Sequence, residues 1–344
     1  MSSTARQIDT KTAPHKPRLG FVGLGWIGRN RLASIAEAGV AEIAAVHDAH
    51  EETALEGLKL APRAVLFSSF DDLLSDDLDG VVIATPNRFH ADQAIAALEC
   101  GMAVFCQKPL GRNASETQRI VEAARNANQL LGVDLTYSAI PAMKTVSGLV
   151  ESGALGKVFA VDAKFHNGYG PDKPWFYDFS LSGGGCVLDL GSHLLDLALR
   201  PLRFPRVSRV QSSLFAQGKR STHGGGAIED YAVATIETAG EAIINLSCCW
   251  KLNMGREADI EIAFYGTHGG AALRNVNGSF YDFVAERFEG TRTETLSKPE
   301  DSNWQWGGLV TIDWVKQLAA DGSFDPSAER FVEIAEIIDA IYGP

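Results

Sequence analysis

Apolar residues recur along this chain in two rhythms, and the change between them divides it. From Leu19 to Tyr137, short unbroken apolar runs alternate with stretches at helical spacing. The runs are Leu19 to Val22, a second ending at Asp48, Ala64 to Phe67, Gly80 to Thr85, Ala103 to Cys106 and Leu131 to Tyr137. Runs without polar alternation suit strands covered on both faces. The stretches between them read as helices, including Glu51 to Leu60, Arg88 to Cys100 closed by Gly101, and one capped by Ser115 that continues to about Leu130. Strands separated by helices predict a parallel, doubly wound α/β sheet, which binds ligands beyond the carboxyl ends of its strands.

From Pro141 the rhythm changes. A helix over Pro141 to Ser152 precedes alternating segments at Lys157 to Phe165, Val207 to Ala216, Tyr231 to Thr238, Ala242 to Leu252, Ile260 to Tyr265 and Gly270 to Asn275. Strands joined by short turns predict a large, mostly antiparallel open sheet in an α+β unit, with a hairpin turning at Ala239-Gly240. The glycine-rich loop Gln217 to Ala227 reads as a connector, with a substrate lid as the alternative. Amphipathic helices over Trp304 to Leu318 and Ser327 to Ile341 finish the chain. The expected organisation is a disordered extension over 1–17, an α/β unit over 18–138 and an α+β unit over 139–344.

The first strand-helix turn carries the most specific chemistry. Gly23-x-Gly25-x-x-Gly28 follows an apolar strand, opens a helix, and is followed about 20 residues later by an acid, Asp48. Gly23 permits the tight turn, Gly25 leaves room for a pyrophosphate, and Gly28 allows close helix-strand packing. Trp26 and Ile27 lie in the first helical turn, whose free N–H groups and dipole would hold the phosphates. The alternative is a turn that binds nothing. At the end of the second strand Asp48 can accept both ribose hydroxyls of NAD, whereas the 2′-phosphate of NADP would meet Asp48, Glu51 and Glu52.

Polar residues gather at the other strand ends: Thr85 and Asn87 after the fourth, Gln107 and Lys108 after the fifth. Lys108 can hydrogen-bond a reacting oxygen, or it is a lysine of a surface loop. A second constellation follows Gly183-Gly184-Gly185, where a helix would set Asp189, His193 and Asp196 on one face. Asp189 could then orient the His193 imidazole and hold its pKa up, suiting it to take a proton from a hydroxyl. A capped helix with a surface ion pair is the alternative, and a metal site lacks a third ligand. His166, Asn167 and Trp175 are candidate substrate contacts, with sheet and loop packing as the other reading.

Composition narrows the partners. The 344 residues exceed one hydrophobic core, and a net charge of -12 argues against nucleic acid or an anionic membrane surface. No apolar run approaches the roughly 20 residues of a membrane span, and the first residues lack the apolar stretch of a secretory signal. Five cysteines without CxxC spacing read as free thiols in a reducing, cytoplasmic compartment.

Taken together, GLGWIG, Asp48, TPNRFH, QKP and the GGG-x3-D-x3-H-x2-D helix resemble the glucose-fructose oxidoreductase, inositol dehydrogenase and MocA family from about Arg18 almost to the C-terminus. The resemblance implies a Rossmann domain followed by an α+β domain, and an NAD(P)-dependent oxidoreductase acting on a secondary hydroxyl of a sugar, polyol or related alcohol. It implies that Lys108 is the catalytic lysine, that Lys108-Pro109 is cis, that His193 is the acid/base with Asp189 beside it, and that Thr85, Pro86 and His90 belong to the cofactor motif. Gln107 departs from the pattern, standing where the family has Glu. An NAD-dependent glycosidase and a non-catalytic NAD(P)-binding regulator are the alternatives. A homodimer or homotetramer is expected through the sheet face bearing Ala232, Ala234, Ile236, Ile244, Leu246 and Cys248.

Overall fold

The computed structural model describes residues 16–222, 226–240, 242–299 and 308–343. Residues 1–15 of the expected extension, 223–225 of the glycine-rich loop, and 304–307 of the expected helix over Trp304 to Leu318 lie outside the described residues.

The first rhythm folds as β1 (Arg18–Val22), α1 (Trp26–Ala38), β2 (Glu42–His47), α2 (Glu51–Leu60), β3 (Val65–Leu66), α3 (Phe70–Leu73), β4 (Gly80–Ile83), α4 (Asn87–Glu99), β5 (Ala103–Cys106), α5 (Ala114–Ala127) and β6 (Leu131–Val133). All six strands are parallel, in the order β3-β2-β1-β4-β5-β6. The order reverses at β1, so a crevice opens beyond its carboxyl end. β1, β4 and β5 are buried almost throughout, as their unbroken apolar runs require. Two local expectations change. Asn113, and not Ser115, caps α5, its side-chain oxygen accepting the Glu116 N–H at 2.9 Å two residues earlier in the chain. The sixth strand stops at Val133, and Thr136–Ala139 is a 3-10 turn from which Thr136 and Tyr137 line the crevice.

The second rhythm folds as α6 (Pro141–Glu151), β7 (Val158–Asn167), α7 (Phe179–Ser182), a π-helical turn (Val187–Gly191), α8 (Ser192–Leu199), β8 (Val207–Ala216), β9 (Lys219–Ser221), β10 (Tyr231–Thr238), β11 (Ile243–Cys249), β12 (Ala258–Gly266), β13 (Gly270–Asn275), β14 (Phe283–Glu289), β15 (Arg292–Ser297), α9 (Gly308–Ala320) and α10 (Glu329–Tyr342). Nine strands make one sheet, β15-β14-β13-β12-β7-β11-β10-β8-β9, antiparallel except where β11 runs parallel to β7. Helix α9 returns to the first sheet: Trp314 packs on Phe105 with ring centroids 5.5 Å apart, over Gly80 and Gly132. The two glycines leave the space that the indole fills.

The face expected to mediate oligomerisation is not free. Ala232, Ala234, Ile236, Ile244, Leu246 and Cys248 are all buried in the core beneath the chain's own helices, with Leu194 and Leu195 of α8 and Ile337 and Ile338 of α10 in the same cluster. Alternation gave the apolar face correctly, but that face needed intramolecular cover first. The opposite face is polar, carrying Asp162, Lys164, Gln211, Thr235, Asn245 and Glu261 along an open surface.

Candidate functional site

The glycine turn has three different environments. Gly23 has φ +85 and a Cβ there would lie 2.6 Å from Ala84 backbone. A Cβ on Gly28 would meet Gly23 O at 2.0 Å, so this residue locks α1 against the turn. At Gly25 none of the described residues lies within 4 Å of the Cβ position. Gly25 also precedes α1 without any side-chain cap, and Trp26 is well exposed beside it. Open space in front of uncapped N–H groups is a cradle for an anionic group.

Asp48 does local work here as well. Its Oδ2 accepts the Leu24 N–H at 2.7 Å, bracing the glycine turn, and Oδ1 accepts the His50 N–H at 2.8 Å at the start of α2. Each carboxylate oxygen accepts more than one hydrogen bond, so the group remains competent toward a ribose.

At the next strand ends the candidates separate. Thr85 Oγ1 donates to Gln93 at 2.6 Å. Asn87 donates to Ser182 O at 2.8 Å, fastening the first unit to the loop of the second. His90 is fully buried, with its ring nitrogens 2.8 Å from Pro109 O and Thr85 O. It braces the Lys108-Pro109 peptide, which is cis, from the wall of the cavity that Thr85 and Lys108 also line. Gln107 Nε2 donates to the buried Asp134, whose Oδ2 also takes Arg31 Nε at 2.5 Å.

Lys108 Nζ forms an ion pair with Asp189 Oδ1 and donates to Asp189 O at 2.9 Å. Trp250 Nε1 donates to the other carboxylate oxygen at 2.7 Å. The expected Asp189–His193 pair is therefore replaced: an ammonium and an indole N–H from two other elements take the carboxylate, and buried His193 Nδ1 has no hydrogen-bond partner. Burial and then the charges of Lys108 and Arg31 hold the imidazole well below the usual histidine range, opposite to the expected upward shift. Asp196 turns away to Arg200, 2.5 Å distant, so the three residues do not share one working face. The ring of His193 sits between Tyr137, edge-on at 4.9 Å, and Phe165.

The segment carrying Asp189 is held from behind. Glu229 Oε1 accepts Gly185 N at 2.9 Å, Val187 N at 3.2 Å and Tyr342 OH at 2.9 Å, and Tyr342 OH accepts Leu188 N. Gly183, with φ +82, packs on Arg112, which donates to Ser180 O at 2.9 Å. Period-two alternation on β7 separates the remaining candidates. Asn167 reaches the site and leaves Oδ1 buried without a partner, while His166 faces the other side, 2.8 Å from Ser247 Oγ, and is not in the site. Trp175 stacks on Phe176 at 3.8 Å on the site wall.

These residues line one cavity of about 1130 Å³, running from the glycine turn and Asp48, past Thr85 and Lys108, to Asp189, His193 and an aromatic rim of Tyr169, Trp175 and Phe280. It exceeds the roughly 300–1,000 Å³ of a drug-sized pocket, as a dinucleotide plus a small substrate would need. Four of its lining residues, Asp134, Thr136, Asn167 and His193, carry buried polar atoms without partners among the described residues. With the cradle at Gly25 these fit a polar ligand extended along the crevice. Sequence reading missed Arg31, Asp134, Trp250 and Glu229. Only Asp134, at a strand's carboxyl end, carried a positional signal.

Comparison with known proteins gives matches over both units. Residues 17–135 match the model of an oxidoreductase family with an NAD-binding Rossmann fold, and residues 143–272 match the GFO/IDH/MocA C-terminal domain. Levoglucosan dehydrogenase of Pseudarthrobacter phenanthrenivorans is 25% identical over 336 residues, 86% of this chain and 85% of the relative. D-glucoside 3-dehydrogenase of Escherichia coli is 28% identical over 222 residues, 62% of this chain and 61% of that protein's length. Among solved structures, levoglucosan dehydrogenase in complex with NADH and levoglucosan superposes with a TM-score of 0.80 at 24% identity, covering 95% of this chain and 96% of the other, a likeness of fold.

Proposed function

The chain belongs to the GFO/IDH/MocA family of oxidoreductases with an NAD-binding Rossmann fold, and on that premise we propose that it oxidises a secondary hydroxyl of a sugar, polyol or glycoside, or reduces the matching ketone. The observation that carries this reading is the Lys108 ammonium, tied to Asp189 in the same cavity as the buried imidazole of His193. NAD supplies the hydride acceptor when bound. Lys108 donates a hydrogen bond to the carbinol oxygen and stabilises its developing negative charge. His193, held neutral by burial, takes the hydroxyl proton. Asp189 acts on Lys108 and not on the imidazole, and Trp250 orients Asp189. Asn167 and the Trp175 wall are in position to contact the substrate, and Asp48 with the glycine turn to hold the adenosine and phosphates.

The names of the relatives support the substrate class, since they include a D-glucoside 3-dehydrogenase and a levoglucosan dehydrogenase. Among the described residues no helix is long and apolar enough to cross a membrane. We place the protein in the cytoplasm on its five free cysteines, and assign homo-oligomerisation to the polar open face of the nine-stranded sheet. The test is NADH formation across a panel of sugars, inositols and glycosides. Turnover of at least one ring hydroxyl is expected, and turnover confined to substrates without one would overturn the reading.

A further inference from the structure

Gln107 directly follows β5 and precedes Lys108, and a carboxylate stands beside it from another strand. β5 and β6 pair in parallel with Cys106 opposite Val133, so the residues that follow, Gln107 and Asp134, emerge side by side beyond the sheet. The Asp134 side chain is wholly buried, as is Arg31. One carboxylate oxygen, Oδ2, takes both Arg31 Nε and Gln107 Nε2.

An ionised carboxylate only accepts hydrogen bonds. The Gln107 amide must therefore turn its nitrogen toward Asp134, which leaves Oε1 pointing the other way. Gln107 lines the cavity, and among the described residues its side chain makes one hydrogen bond, from Nε2 to Asp134. The strand order says what lies there. Asp48 directly follows β2, on one side of the reversal at β1, and marks the adenosine end, while β4 and β5 lie on the other side. A dinucleotide crossing the glycine turn brings its nicotinamide over the ends of β4 and β5.

We propose that Asp134 and Arg31 are positioning residues that fix the polarity of the Gln107 amide, so that its oxygen accepts the carboxamide N–H of the nicotinamide. The one negative charge of this cluster stands at position 134 beside Arg31, and Gln107 presents an uncharged acceptor oxygen to the cofactor. This rests on the reading of the cavity as the NAD site.

The experiment compares the dissociation constants of NADH and of reduced 3-acetylpyridine adenine dinucleotide, which keeps the ring carbonyl but lacks the amide N–H. The wild type should bind NADH about three- to tenfold more tightly, the worth of one net hydrogen bond. Gln107→Met should abolish the preference, and Asp134→Asn should shrink it, because an amide at 134 accepts either orientation of Gln107. In the double variant Gln107→Glu/Asp134→Asn the introduced amide donates to the introduced carboxylate and one negative charge again faces Arg31, so the preference and the stability lost in the single variants should both return. Equal affinities in the wild type, or a preference that survives Gln107→Met, would overturn the inference while leaving the NAD site standing. No NADH binding at all would overturn the reading of the cavity instead. Should Asp134→Asn fail to fold, the double variant decides alone, and its lack of a preference counts against the proposal.

Discussion

Replacing Asp48 by alanine separates what this carboxylate does for the fold from what it does for the cofactor. The fold loses two acceptors, those for Leu24 N at 2.7 Å and His50 N at 2.8 Å. Neither is deeply buried, so water takes over and the cost is about 1 kcal/mol in all, which lowers Tm by a few degrees. The cofactor effect is larger in proportion. A 2′-phosphate would bring up to two negative charges beside Asp48 and near Glu51 and Glu52, the acids in the first turn of α2. With water-like screening each unit pair at about 4 Å costs roughly 1 kcal/mol. NADP should therefore be disfavoured by at least about 1.4 kcal/mol, or tenfold in kcat/KM. Asp48→Ala should lower efficiency with NAD and bring the two cofactors toward parity, while Asp48→Asn, which keeps an acceptor without the charge, falls between. The assay is kcat/KM for both cofactors on one substrate, with a melting curve to register the fold. A wild type that works equally well or better with NADP, or an Asp48→Ala ratio that does not move, would refute the reasoning.

Gly28→Ala should destabilise the protein by about 2 kcal/mol or more, since its Cβ would lie 2.0 Å from Gly23 O, whereas Gly25→Ala should melt like the wild type and bind NADH more weakly; melting and NADH titration on both variants distinguish these roles. Trp250→Phe keeps the ring contacts with Phe176 and Tyr177 but removes the donor to Asp189, so kcat should fall about tenfold with the NADH dissociation constant unchanged. His193 has its pKa lowered in the folded state, so the unfolded chain binds the extra proton first as pH falls. Its contribution to stability is therefore present above the ordinary histidine value of 6.5 and lost progressively below it, and kcat/KM for oxidation should stay level through 6.5 and decline only in more acid solution. A proton-release step titrating at or above 6.5 that disappears in His193→Ala would contradict this.

Where one residue's neighbours in sequence determine its environment, the sequence was a good guide. The limits of β8, β10 and β13 follow from alternation alone, and the glycine turn from spacing. β14 and β15 were not expected, because FVAERFE and RTETLS, at the sheet's edge, carry too many polar residues to show a half-buried rhythm. The site was legible as a set of residues but not as a set of bonds. Asp189 and His193 stand four apart, which suggested a pair, yet Lys108 lies 81 positions from Asp189 and Trp250 lies 61. Arg31 and Asp134 are 103 apart, and nothing in a local pattern joins them. His166 and Asn167 were equivalent in sequence until the register of β7 put them on opposite faces.

The central claim is that Lys108 and His193 act on the substrate hydroxyl and not on cofactor binding. The most direct measurement is of Lys108→Ala and His193→Ala, taking kcat with an established substrate and the NADH dissociation constant of each variant. The account predicts losses in kcat of about 10² to 10⁴ with NADH binding close to wild type. Near-normal turnover in both variants, or losses that track weakened NADH binding, would contradict it.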